Sequence, residues 1–267
     1  MKKKRIIPVV LFKEGHVVQS KTFLEYRNLG NPYDSIRRLS EWGADEVSFI
    51  DIGSRQSTGL IRNDLGRNSV SNYLEVLENV SVTSSMPLSS GGQIRCMEDI
   101  ENRLIRGADK VVINTAAFID QRFLRNAVHS FGSQCIVVSV DIRRIKDKYR
   151  IFINNGNQEI EEELEDAIHT LNGIEVGEIF LNSIDRDGTK QGFDLELIEI
   201  VSKLACMPLV VCGGAGKWED FETVLKMDGV DGVAAANIFQ HVDQSLFLAH
   251  KYLYNKGLNV RRPQLMR

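Results

Sequence analysis

One half of this sequence repeats in the other. Pro87-Leu88, Gly91-Gly92, Glu98-Asp99, Gly107-Ala108-Asp109 and Asn114-Thr115-Ala116 recur as Pro208-Leu209, Gly213-Gly214, Glu219-Asp220, Gly229-Val230-Asp231 and Ala235-Ala236-Asn237, offset by 121 to 122 residues. A duplication of that length restricts the chain to architectures with two equivalent halves, because each copy must solve the same packing problem. The repeated unit is an apolar strand, a Gly-rich turn and a helix that opens on acidic residues. A polar strand end follows it.

Eight short apolar runs are spaced along the chain: Ile6–Leu11, Glu46–Asp51, Met86–Ser90, Lys110–Asn114, Cys135–Asp141, Glu178–Ser183, Leu209–Cys212 and Gly232–Ala235. Segments of helical periodicity lie between them, at Asp34–Trp42, Met97–Arg106, Glu161–Leu171, Leu195–Leu204, Trp218–Met227 and Gln244–Tyr254. Apolar runs without clean alternation suit parallel strands covered on both faces. Strand and helix alternating eight times predict a (β/α)8 barrel of two similar half-barrels, and 267 residues at 43% hydrophobic fill one such domain, residues 1–267. A doubly wound open sheet would also alternate, but it does not predict matching halves. Two excursions follow strand C-termini: a long polar loop over Ser54–Tyr73 and an alternating hairpin over Arg143–Asn157. Strand C-termini form the functional face of this fold, so both are candidate lids or docking elements.

The 33 basic and 36 acidic residues are spread evenly, which leaves no polyanion-binding face and argues against nucleic acid. No segment approaches the ~20 apolar residues of a membrane span, and the basic start Lys2 to Arg5 leads into a strand with no cleavage site after it. A cytoplasmic protein is expected. Cys96, Cys135, Cys206 and Cys212 lack metal-binding spacing, so reduced and mostly buried thiols are expected, with no metal and no cofactor. None of the five histidines falls in a site motif.

The turns Gly91-Gly92 and Gly213-Gly214-Ala215-Gly216 each join an apolar strand to an acidic helix start. Glycine there lets backbone N–H groups approach an anion, and the helix N-terminus adds favourable partial charge. With the polar ends Asn114-Thr115 and Ala236-Asn237, these turns predict two phosphate sites related by a pseudo-twofold axis. Plain tight turns are the structural alternative.

Arg5-Ile-Ile-Pro8, Gly43-Ala-Asp-Glu46, Arg106-Gly-Ala-Asp-Lys110, Ile113-Asn-Thr-Ala-Ala117, Phe131-Gly-Ser-Gln134, Ser183-Ile-Asp-Arg-Asp-Gly-Thr-Lys190, Cys212-Gly-Gly-Ala-Gly-Lys217 and Gly257-Leu-Asn-Val-Arg261 together resemble the cyclase subunit of imidazole glycerol phosphate synthase. The resemblance implies a barrel that binds a ligand with a phosphate at each end, receives ammonia through the barrel from a glutaminase subunit, and cyclises its substrate with two aspartates. Carried over by residue, one phosphate falls on Gly92, Asn114, Thr115, Asp187 and Gly188, and the other on Gly214, Ala215, Ala236 and Asn237. The implied ammonia gate is Arg5, Glu46, Lys110 and Glu178, for which a structural ion-pair network is the alternative. Asp109 is implied to face the glutaminase at the N-terminal face, and Asp141 is the fifth-strand catalytic aspartate.

The first-strand aspartate of the family is replaced by Leu11, which can neither donate nor accept a proton. Gln19, Gln93 and Asn182 replace a loop lysine, a turn glycine and a threonine of the family, and the loop after Asp51 is longer. This profile, with the stretch Leu11 to Gly15, is most similar to a paralogous branch, the acetamidino-modification proteins of bacterial surface polysaccharide synthesis. The expectation is an ammonia-channelling synthase subunit of a glutamine amidotransferase, serving amidination of an N-acetylated sugar by a third protein, with cyclase chemistry lost. A true cyclase of histidine biosynthesis and a non-catalytic scaffold that activates the glutaminase are the alternatives.

Overall fold

The computed structural model describes residues 2–53, 72–84 and 86–265. Eight parallel strands close on themselves: β1 (Arg5–Lys13), β4 (Val47–Asp51), β5 (Leu88–Gly91), β6 (Lys110–Ile113), β7 (Ile136–Ile145), β10 (Glu178–Ser183), β11 (Leu209–Cys212) and β12 (Gly232–Ala235). β12 returns to β1 through Arg5 opposite Gly232, and β7 pairs β10 through Asp141 opposite Asn182. The helices α1 (Pro32–Glu41), α2 (Tyr73–Thr83), α3 (Met97–Ile105), α4 (Thr115–Ile119), α5 (Gln121–Phe131), α6 (Leu164–Ile174), α7 (Leu195–Leu204), α8 (Trp218–Leu225), α9 (Ile238–His241) and α10 (Ser245–Asn255) lie between the strands or follow the last. The chain is a (β/α)8 barrel.

The duplicated sequence has a mechanical purpose. Asp109 accepts the Leu88 N–H at 2.8 Å and its own N–H returns to the Leu88 carbonyl, and Asp231 repeats both bonds with Leu209. Asp45 likewise accepts the Ile6 N–H at 2.9 Å. Each aspartate thereby pins the start of one strand to the start of the strand before it. The paired Glu-Asp helix starts are also structural, since Asp99 accepts the Arg95 and Cys96 N–H groups and Asp220 those of Gly216 and Lys217. Both are first-turn carboxylates satisfying orphan helix donors.

Two arms extend the first strand of each half. β1 runs through a turn at Glu14-Gly15, both at positive φ, into β2 (His16–Lys21) and β3 (Glu25–Gly30). β7 turns at Lys146-Asp147, again both positive, into β8 (Lys148–Ile153) and β9 (Gln158–Glu163). Consecutive positive φ values define the turn whose twist matches two antiparallel strands. The expected hairpin over Arg143–Asn157 is therefore a three-stranded arm. It corrects the helix expected from Glu161, because β9 continues through Glu163 and α6 begins at Leu164. The excursion expected over Ser54–Tyr73 lies outside the described residues as far as position 71, and Asn72 caps α2 by accepting the Leu74 N–H. The expectation of mostly buried thiols is also corrected: all four are free, Cys96 and Cys206 are exposed, and Cys135 and Cys212 are half-buried.

Candidate functional site at the barrel mouth

Inward side chains of the strands stack into a polar floor, an apolar middle and a polar mouth. At the floor, Arg5 bridges Glu46 at 2.9 Å and Glu178 at 2.6 Å, and Lys110 bridges the same two carboxylates at 2.8 and 3.3 Å. The four residues expected to form a gate do form one closed ring of alternating charge, with Glu46 and Glu178 buried. Burial opposes the charge on Arg5, and its two carboxylate partners outweigh that cost, raising its pKa. Above the ring pack Ile7, Val9, Val112, Val137, Phe180, Val210 and Ala234. One polar step interrupts them: Ser48, between Val9 and Ser89 in register, has a buried hydroxyl with no hydrogen-bond partner among the described residues, and Ser89 is in turn opposite Lys110.

The mouth is a cavity of about 1280 Å³ at the strand C-termini, reached by Leu11, Asp51, Asn114, Asp141, Asn182 and Asp187 from the barrel and by residues of both arms. Leu11 and Asp141 occupy corresponding places, each on the strand that leaves the barrel for its arm, with Leu11 opposite Val18 and Ile50 and Asp141 opposite Phe152 and Asn182. Asp141 accepts the Ser139 hydroxyl at 2.9 Å. Burial raises its pKa to about 6, against opposing hydrogen bonds from Ser139 and Asn182 and with a further push from Asp187. The Asn182 Oδ1 is buried without a partner among the described residues. Asp51 is raised too, chiefly by burial, while the Gly53 N–H and the charge of Arg103 oppose the shift. Gln19 does not line the cavity.

Several expected phosphate residues hold the arms. Asn114 donates to the Ser139 and Phe152 carbonyls, and Thr115 accepts the Asn154 N–H. On the other side, Asn237 donates to the Ser20 carbonyl at 3.0 Å, and Asp187 accepts the Ser20 hydroxyl at 2.6 Å. Asp187 and Gly188, grouped by the resemblance with Gly92, sit beside the first arm and Asn237, since a Cβ on Gly188 would lie 3.1 Å from the Asn237 amide nitrogen. The loop after β10 crosses to the arm of the other half. Gly92 and Gly214 have positive φ, and a Cβ on them would lie 1.8 Å from the Asp51 carbonyl oxygen and 2.1 Å from that of Gly192. Close backbone approach already requires glycine at both places. Ala215 is partly buried against the core, Ala236 lines the cavity, and Asp109 is exposed at the opposite end while holding Leu88. Sequence reasoning missed Ser139, Phe23 and Tyr26. The last two are on the first arm, signalled only by Glu14-Gly15.

A duplicated (β/α)8 barrel with an ionic floor and a carboxylate-bearing mouth defines the class. Within that class, the chain belongs to the histidine biosynthesis protein family, whose model matches residues 5–244. It is 38% identical over 261 residues to the imidazole glycerol phosphate synthase subunit HisF of Sulfolobus acidocaldarius, covering 98% of this chain and all of that protein. The proteins of the same name from Sulfurisphaera tokodaii (98% of this chain, 100% of that protein) and Campylobacter concisus (97% and 98%) are 38% and 36% identical over 266 and 258 residues. Among the described residues no helix is long and apolar enough to cross a membrane.

Proposed function

We propose that this chain is the synthase-side subunit of a glutamine amidotransferase, which takes ammonia from a glutaminase at the N-terminal face and delivers it to the cavity at the barrel mouth. The observation that carries this reading is the closed ring of Arg5, Glu46, Lys110 and Glu178 beneath a barrel interior that leads, past the unpartnered Ser48 hydroxyl, to Asp141. A closed ion ring that opens by breaking one bridge suits a neutral, small cargo. The names of the relatives favour imidazole glycerol phosphate synthase chemistry at the mouth. Leu11 weighs against it: ring closure by general acid and base needs two proton-transferring groups, and the position corresponding to Asp141 carries an isobutyl group. The ammonia then has another acceptor, for which an N-acetylated sugar of surface polysaccharide synthesis, amidinated on a third protein, is our reading.

The test is ammonia-dependent turnover of the histidine-pathway intermediate. Losing one member of an acid–base pair forfeits about 10²–10⁴ in rate, so negligible turnover is expected. Leu11→Asp alone is expected not to restore it, because Gln93 and Asn182 still reshape the cavity and positioning contributes as much as proton transfer. Turnover by wild type at an ordinary enzymatic rate would return the chain to histidine biosynthesis.

A further inference from the structure

The two halves differ at one turn. Five residues separate Gly92 from Glu98, whereas four separate Gly214 from Glu219. In the longer turn Gln93 adopts φ 55°, a left-handed conformation disfavoured for any residue with a Cβ. Its side chain uses that conformation: Nε2 donates to the Gly53 carbonyl, two residues past β4, and Oε1 accepts Arg95 Nη2 at 3.3 Å. Gln93 thus ties the Arg95 guanidinium to the cavity rim.

Arg95 and Arg122 both line the cavity, and neither has a carboxylate within salt-bridge distance among the described residues. The neighbouring acids are committed elsewhere. Asp99 accepts the Arg95 and Cys96 N–H groups, Asp120 accepts those of Arg122 and Phe123, and Asp51 accepts that of Gly53. In the second half Trp218 fills the corresponding place, stacked on Phe239 with ring centroids 6.2 Å apart and beside Phe221 at 5.7 Å. In the first half Met97 stands there and the cavity continues past it to Ile119 and Phe123.

We propose that this rim is a diphosphate-binding site, in which Arg95, positioned by Gln93, and Arg122 hold the two phosphoryl groups of a phosphorylated ligand. It goes beyond the amidotransferase reading by naming a ligand class for the mouth. A guanidinium is planar and permanently charged, and it binds a phosphoryl group through two parallel N–H bonds, so two guanidinia suit two linked phosphoryl groups. The chain's first anion site then rests on side chains at the rim instead of on the Gly91-Gly92 backbone.

The experiment is calorimetric titration of the full chain with inorganic pyrophosphate. Arg95→Ala and Arg122→Ala should each weaken binding at least tenfold, with unchanged thermal unfolding, because both side chains are exposed. Gln93→Gly should weaken it several-fold in the wild-type background and not at all beside Arg95→Ala, since it acts through that guanidinium. Binding within twofold of wild type in both arginine variants overturns the site, as does wild type that fails to bind at millimolar pyrophosphate. Pyrophosphate bound as predicted by a chain that recruits no glutaminase would defeat the amidotransferase reading and leave this site standing.

Discussion

Asp141 is the residue on which pH acts most directly. Its folded pKa lies at about 6 against an ordinary 3.8, so between those values the folded protein holds a proton that the unfolded chain has released. Stability therefore falls as pH rises through that window and returns as it drops, by up to about 3 kcal/mol. Asp141→Asn removes the cost. Its gain in unfolding free energy over wild type should grow from pH 4 to pH 7 and then level off, and a pH-independent difference would refute the burial argument. Gly92→Ala should fare far worse, because its new Cβ meets the Asp51 carbonyl oxygen at 1.8 Å and φ is already +83°. A loss above about 3 kcal/mol in denaturant melts is expected, of the size produced by strain at a special backbone position. The sequence marked both residues, and at Gly92 the close approach of the Asp51 backbone at the end of β4 requires glycine with or without a ligand.

Strand starts and arms show the duplication acting as an element-level device. Asp109→Ala and Asp231→Ala each strand one backbone N–H, of Leu88 and of Leu209. Each should cost about 1–2 kcal/mol, and the two values should agree within a few tenths if the halves are equivalent. The ring is less forgiving. Glu46→Gln leaves Arg5 and Lys110 facing Glu178 alone in a mostly buried setting, and about 3–5 kcal/mol of stability should be lost, read from chemical denaturation. The barrel strands, α3 and α7 could be read from apolar runs and helical spacing, whereas α2 and α5 were passed over despite the caps Asn72 and Asp120. The second arm was partly legible as the alternating hairpin over Arg143–Asn157, whereas the first escaped because β3 is mostly polar and its local signal is the two-residue turn Glu14-Gly15.

At the scale of the whole molecule, the N-terminal face should carry the glutaminase. A specific complex buries at least ~1,000 Å², and hydrogen-exchange protection on mixing should concentrate at residues 44–47, 107–110 and 176–178, which lead into strands around the ring. Protection confined to the arms would place the partner at the opposite end and contradict the ammonia path. The repeat determined the closed barrel by itself, because two matched halves of alternating strand and helix satisfy their backbone and bury their apolar faces in few other ways. The ring members were implied by the family resemblance, and strand starts that converge on one end of a parallel barrel agree with their meeting there. Only the tertiary structure decided that Asn114, Thr115, Asp187 and Asn237 hold the arms, and that Asp187 belongs with Asn237. Those contacts join segments as much as 217 residues apart, and local sequence pattern carries no information about which distant loop a polar side chain will reach once the barrel closes.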